Sequence, residues 1–132
     1  MTVRSAPSLR YSLFELARDI STHPERDRLK LVFEFMARWA ETPAKGRAAM
    51  IGEEPVQTGD KRWDALVAGL AEHVAFHADI DPPPWAFDES RFLDSFWYVV
   101  DSPLFRVWAL HDTPAGLFRH HVMLSRYDLE RV

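Results

Sequence analysis

Between residues 24 and 40 apolar side chains recur at intervals of three and four: Leu29, Val32, Phe33, Met36, Trp39 and Ala40. That period puts them on one face of an α-helix. Leu31 and Phe35 widen the stripe, so the pattern predicts a central helix buried on two sides. A second strong helix is predicted over 60–78, with Trp63, Leu66, Val67, Leu70 and Val74 on one face. Leu9, Leu13, Leu16, Ala17 and Ile20 predict a leading helix over 8–20, and a shorter one is expected over 43–51.

The polar punctuation agrees with this division. Thr42-Pro43, Ser102-Pro103 and Thr113-Pro114 read as helix starts, because a hydroxyl can cap free N–H groups and proline fits the first turn. Thr22 to Glu25 and Ser125 to Asp128 have capping-box spacing. The segment 52–59, rich in Gly and Pro, reads as a loop, and Asp81-Pro82-Pro83-Pro84 cannot be helix interior.

Beyond residue 78 the periodicity fades. Eight of the 24 residues from Trp85 to Trp108 are aromatic. Short helices are expected over 88–95, 103–110, 114–120 and 126–131. Trp97 to Val100 and His121 to Leu124 are β-capable and could pair as a small two-stranded element. The expected architecture is mainly α: one domain over 1–132, with a helical bundle over 8–78 and an irregular, aromatic-rich packed extension over 79–132.

Composition narrows the class further. The chain has 132 residues, 47% of them hydrophobic and 27% charged, which suits a globular domain rather than a disordered chain. There is no cysteine, so disulfides and thiol chemistry are excluded. Residues 1–7 lack the apolar stretch of a secretory signal and no apolar run is long enough for a bilayer, so a cytoplasmic location is expected. Residues 67–132 carry 5 Lys and Arg against 10 Asp and Glu, a poor match to a phosphate backbone. Arg26, Arg28 and Lys30 in the first half alternate with Glu25 and Asp27, the pattern of a solvated helix face.

Few residues suggest chemistry. His73 and His77 stand one helical turn apart, the spacing used by zinc-binding helices. No Glu follows the first His as in a metalloprotease, and Asp79 and Asp81 are third-ligand candidates without a fixed face. No metal and no other cofactor is therefore expected. His111, His120 and His121 could act as general bases near neutral pH, but no nucleophile motif accompanies them and the five glycines form no phosphate cradle. No catalytic residue is assigned. The acidic pairs Glu53-Glu54 and Asp79/Asp81 read as solvated loop carboxylates. The aromatic stretch is too dense to bury completely, and exposed aromatics mark partner surfaces.

Several segments also carry a resemblance. They are Thr58-Gly59-Asp60-Lys61-Arg62-Trp63-Asp64-Ala65-Leu66, continuing into Leu70-Ala71-Glu72-His73, then Pro84-Trp85, Arg91-Phe92-Leu93-Asp94, Phe96-Trp97, Pro114-Ala115-Gly116-Leu117-Phe118-Arg119 and the closing Ser125 to Val132. Over about residues 10–132 the chain resembles a family of small actinobacterial proteins found as the region after the helix-turn-helix domain of regulators and antitoxins. Those proteins are encoded beside a nucleotidyltransferase-like toxin. The resemblance implies a non-enzymatic, antitoxin-like partner that neutralises such a toxin by covering its active site. Residues 1–7 are too few for a DNA-reading domain, so nucleic-acid binding by this chain alone is not expected, and neither is membrane association. Self-association is left open.

Trp85, Phe96, Trp97, Tyr98, Arg106 and Trp108 are the expected partner-binding residues, since Trp, Tyr, Phe and Arg dominate interface centres. Two rival readings stand beside this one: a component of a DNA-associated transcriptional regulator, and a metal-dependent or acid–base enzyme using His73 and His77.

Overall fold

The computed structural model describes residues 11–130. The first turn expected for the leading helix, with Leu9, and the last expected helical residue, Arg131, lie outside them. Among the described residues the chain is mainly helical, with helices α1 Leu13–Thr22, α2 Glu25–Glu41, α3 Ala44–Gly52, α4 Lys61–Ala78, α5 Pro103–Asp112, α6 Ala115–Arg119 and α7 Arg126–Leu129. The two β-capable segments do pair, as β1 Trp97–Tyr98 and β2 Val122–Met123. They run parallel, with Trp97 opposite Val122 and Tyr98 opposite Met123. Parallel pairing needs a crossover, and α5 and α6 supply it. His121, at φ 65°, turns the chain from α6 into β2.

The central helix is α4, not α2. α2 buries a single stripe, Val32, Phe35, Met36 and Trp39, whereas α4 buries most of its circumference from Trp63 to Ala75. The physical reason is side-chain size. Ala65, Ala68, Gly69, Ala71 and Ala75 let neighbours approach α4 from every side. The closest approach is to α6. A Cβ on Gly69 would lie 2.6 Å from Leu117 Cδ2, and a Cβ on Gly116 would lie 2.8 Å from the backbone N of His73. Around this axis one continuous core joins Leu13, Leu16 and Ile20 of α1 to Leu117, Val122, Leu124 and Leu129 near the C-terminal end. The two parts read from the sequence thus share a core.

Hydroxyls close helices as often as they open them. Ser12 forms a full capping box with Glu15 at the start of α1, and Ser102 caps α5. Thr22, Thr42 and Thr113, expected as starts, instead donate from Oγ1 to Asp19 O (3.1 Å), Arg38 O (2.6 Å) and Ala109 O (2.6 Å). Arg38 O gains a bond that the Thr42 N–H, donating to Trp39 O, does not give it, whereas Ala109 O also accepts from Thr113 N and Asp19 O also lies 2.7 Å from His23 Nδ1. The helix expected over 88–95 is also corrected: only one 3₁₀ turn forms, Glu89–Arg91, capped by Asp88. It stops because Arg91 is pulled into the core and Leu93 N donates to His120 O instead of continuing a helix.

The loop before α4 is held by its own polar groups. Thr58 N donates to Asp64 Oδ1 at 2.7 Å, Thr58 Oγ1 bonds both the N–H and the C=O of Asp60, and Gly59 takes φ 93°. The buried Arg91 guanidinium donates to Pro55 O at 2.8 Å and stacks over Trp85 at 4.9 Å. Thr58, Asp60, Asp64, Trp85 and Arg91, all in segments that carry the resemblance, therefore do structural work.

Candidate functional site

Of the six expected partner-binding residues, Trp85 is corrected outright. It is 8% exposed, its indole N–H donates to Ile51 O at 3.0 Å, and it belongs to the core. The 3₁₀ turn Pro84–Phe87 that follows the prolines aims it inward. Trp97 is half-buried, edge-on to Trp63 with ring centres 5.1 Å apart. Tyr98 is half-buried beneath Arg106, whose guanidinium lies 4.5 Å from the ring and bonds Asp101 at 2.7 Å. Phe96 is exposed and touches Phe118 and His121. These four line an open groove with Glu25 and Arg62.

Trp108 lies elsewhere, on α5, and there the surface becomes apolar. α5 begins at a Ser102 cap with Pro103 in its first turn, and Ala109 is its one buried residue. Leu104, Val107, Trp108 and Leu110 are 62%, 64%, 46% and 66% exposed. Leu104, Val107, Trp108 and His111 follow i, i+3, i+4, i+7 spacing and so share one face. Tyr127 extends the face, its exposed ring edge-on to Trp108 at 6.1 Å. A shallow cavity of about 470 Å³ opens between Leu104, Trp108 and Tyr127. Leu104, Val107, Leu110 and Tyr127 escaped the sequence reading. The signal was present: seven of the eight residues in Pro-Leu-Phe-Arg-Val-Trp-Ala-Leu are apolar, more than a peripheral helix can bury.

Three of the histidines, His73, His77 and His111, meet at another cavity. It measures about 490 Å³ and is lined by Glu72, His73, His77, His111, Asp112, Arg119 and Arg126, among others. Glu72 is fully engaged: Arg119 Nε donates to Oε1 at 2.9 Å and His120 Nε2 meets Oε2 at 2.5 Å. His120 is buried, with Nδ1 2.7 Å from Arg91 O and its ring stacked on Phe92. Bonded at both nitrogens, it is a cross-brace between α4 and the 3₁₀ turn, not a free base. His111 is exposed beside Asp112. The backbone of His121 accepts from Trp97 N at 2.9 Å. Among the described residues no hydroxyl bonds any of these rings.

His73 differs. It is 3% exposed and makes no hydrogen bond among the described residues; its Nε2 lies 3.7 Å from Glu130 Oε2. Burial, then the neighbouring His77 and Arg126, push its pKa down to about 4, so the imidazole is neutral. The His77 ring stands 4.6 Å away, edge-on. One ligand atom from each of His73, His77 and Glu130 lies within 4.8 Å of the others. The fold thus supplies a third potential ligand in Glu130, 53 residues beyond His77 in sequence, instead of Asp79, which ends α4 in the left-handed conformation.

The basic groups of the first half are partly neutralised within the protein. Arg28 lies between Glu25 and Asp60 at 3.6 and 3.7 Å, and Arg62 bonds Asp60 and Glu25 at 2.9 and 3.1 Å. No protein-family model matches the chain, and neither does a curated protein or a solved structure. Among the described residues no helix is long and apolar enough to cross a membrane.

Proposed function

We propose that this protein is a non-enzymatic, antitoxin-like binding partner that docks on another protein through α5. One observation carries the reading: a helix of ten residues with a single buried side chain and an uncovered face of Leu104, Val107, Trp108 and Leu110. Leu104, Val107 and Trp108 stand at i, i+3 and i+4, the spacing of a helix laid into an apolar groove, and Leu110 adjoins Val107 one turn on. The occupant we assign is a protein groove bordered by Lys and Arg. The acidic excess of residues 67–132 complements it, with Asp101 exposed immediately before α5. A nucleotidyltransferase-like toxin, the partner implied by the resemblance, fits that description, because a site that holds nucleotide phosphates needs cations. Neutralisation would then be occlusion of that site.

The test is co-expression with the protein encoded by the adjacent gene, followed by calorimetric titration of the purified pair. Leu104→Asp, Val107→Asp and Trp108→Asp should each weaken binding at least tenfold while the melting temperature stays within a few degrees. Phe96→Asp, outside the α5 face, should leave binding intact. Unchanged affinity in all three α5 variants overturns the reading. So does conversion of a self-associated species to monomer by the same substitutions, which would make a second copy of this chain the occupant.

A further inference from the structure

We infer that His73, His77 and Glu130 form a binding site for a zinc-class divalent cation. Three observations support it. The first is the ligand set. Two imidazoles and one carboxylate are a donor combination that zinc takes readily, and the three ligand atoms already lie within 4.8 Å of one another. Bonds of about 2.0 to 2.2 Å in a tetrahedron place ligand atoms about 3.3–3.6 Å apart. The His73 Nε2 to Glu130 Oε2 separation of 3.7 Å is close to that. The remaining closure falls on His77 and Glu130, which are exposed and can change rotamer.

The second is the condition of His73. The residue is 3% exposed, no hydrogen bond within the described residues ties up its ring, and it lines a cavity of about 490 Å³. Its Nε2, near Glu130 Oε2, is therefore free to take a cation. The third is rigidity. His73 sits where the backbone of Gly116 packs directly on α4, so one ligand is fixed and the others close onto it. Of the two guanidinium groups on the cavity wall, one is paired with a carboxylate and the other, whose charge is felt at His73, is exposed to solvent. Arg119 bonds Glu72, and Arg126 lies over the Tyr127 ring at 5.5 Å. With three protein ligands, a fourth position opens toward the cavity, as in zinc sites that bind water or an added ligand. The site joins α4 to the end of α7, and its cavity reaches α5 at His111 and Asp112.

Titration of the metal-stripped full chain with zinc and with cobalt tests this. We expect one ion per chain, an intense visible cobalt spectrum of four-coordinate type, and a melting temperature raised by zinc and restored by chelator. His77→Ala and Glu130→Gln change exposed residues and should fold normally. Each should weaken binding by at least on the order of tenfold, the loss seen even when an outer-shell partner of a metal ligand is removed. His111→Ala, on the same cavity wall, should bind as the parent does. Absence of stoichiometric binding, or binding that survives both His77→Ala and Glu130→Gln, overturns the proposal. A weak, six-coordinate cobalt spectrum does so as well.

Discussion

Two residues, Gly116 and Asp60, show how little freedom single positions have here. The missing side chain of Gly116 is what lets α6 lie on α4, since an added Cβ would meet the His73 backbone at 2.8 Å. Backbone cannot move aside as a flexible side chain can. Gly116→Ala should therefore destabilise the protein by about 1–3 kcal/mol, the usual cost of forcing extra atoms into a packed contact, measured by urea denaturation. Gly52→Ala, where the new Cβ meets nothing within 4 Å, should be close to neutral. Asp60 caps α4 by accepting from Arg62 N, and its side-chain bond to Arg62 holds its carboxyl below the usual carboxylate range. A depressed value in the folded state means that the ionised form stabilises the fold above the unfolded value of about 3.9 and that this contribution is lost as pH falls through the folded value. Asp60→Asn keeps the cap but loses the charge. It should be less stable than the parent at pH 7, and the difference should shrink on acidification toward pH 3 in thermal melts.

At the scale of elements, legibility followed local periodicity. The helices over 24–40 and 60–78 were readable because their apolar stripes are encoded within one segment, and each boundary fell within a residue or so of the prediction. Which helix is central was not readable. That depends on small residues such as Gly69 meeting Gly116 from a distant segment, and sequence separation hides the pairing. The same holds for function. The His73/His77 pair was visible as a spacing, whereas Glu130 joins it only when α7 folds back on the bundle. The aromatic stretch was visible as composition, but composition cannot sort Trp85 from Trp108. Their fates can be told apart by experiment. Trp85→Ala removes a buried ring and its bond to Ile51 O, and should cost about 3–5 kcal/mol in equilibrium unfolding. Trp108→Ala, on the open side of α5, should cost less than about 1 kcal/mol, since substitutions away from core features stay small.

At the scale of the molecule, the decisive fact is that the regular and irregular halves share one core. α4 presents apolar surface to α1 and α3 on one side and to α6, β2 and the 3₁₀ turns on the other. Leu117 and Leu129, from the second half, are as fully buried as Leu13 and Leu16 from the first. A bundle ending at residue 78 would leave the α6-facing side of α4 in water, along with the part of Trp63 that meets Trp97, and would lose the Arg91 and Trp85 contacts that pin the loop before it. A domain of this size has only about 5–15 kcal/mol of net stability, and exposing several large side chains at about 1.5–3 kcal/mol each consumes most of it. The fragment 1–78 should therefore fail to fold alone, giving no cooperative thermal transition by circular dichroism. The full chain should unfold in one step, with tryptophan fluorescence and far-ultraviolet dichroism following the same denaturant curve. Trp39 and Trp63 report on the first half, and Trp85, Trp97 and Trp108 on the second. Separate midpoints would show that the extension melts independently and that the shared core does not hold the halves together.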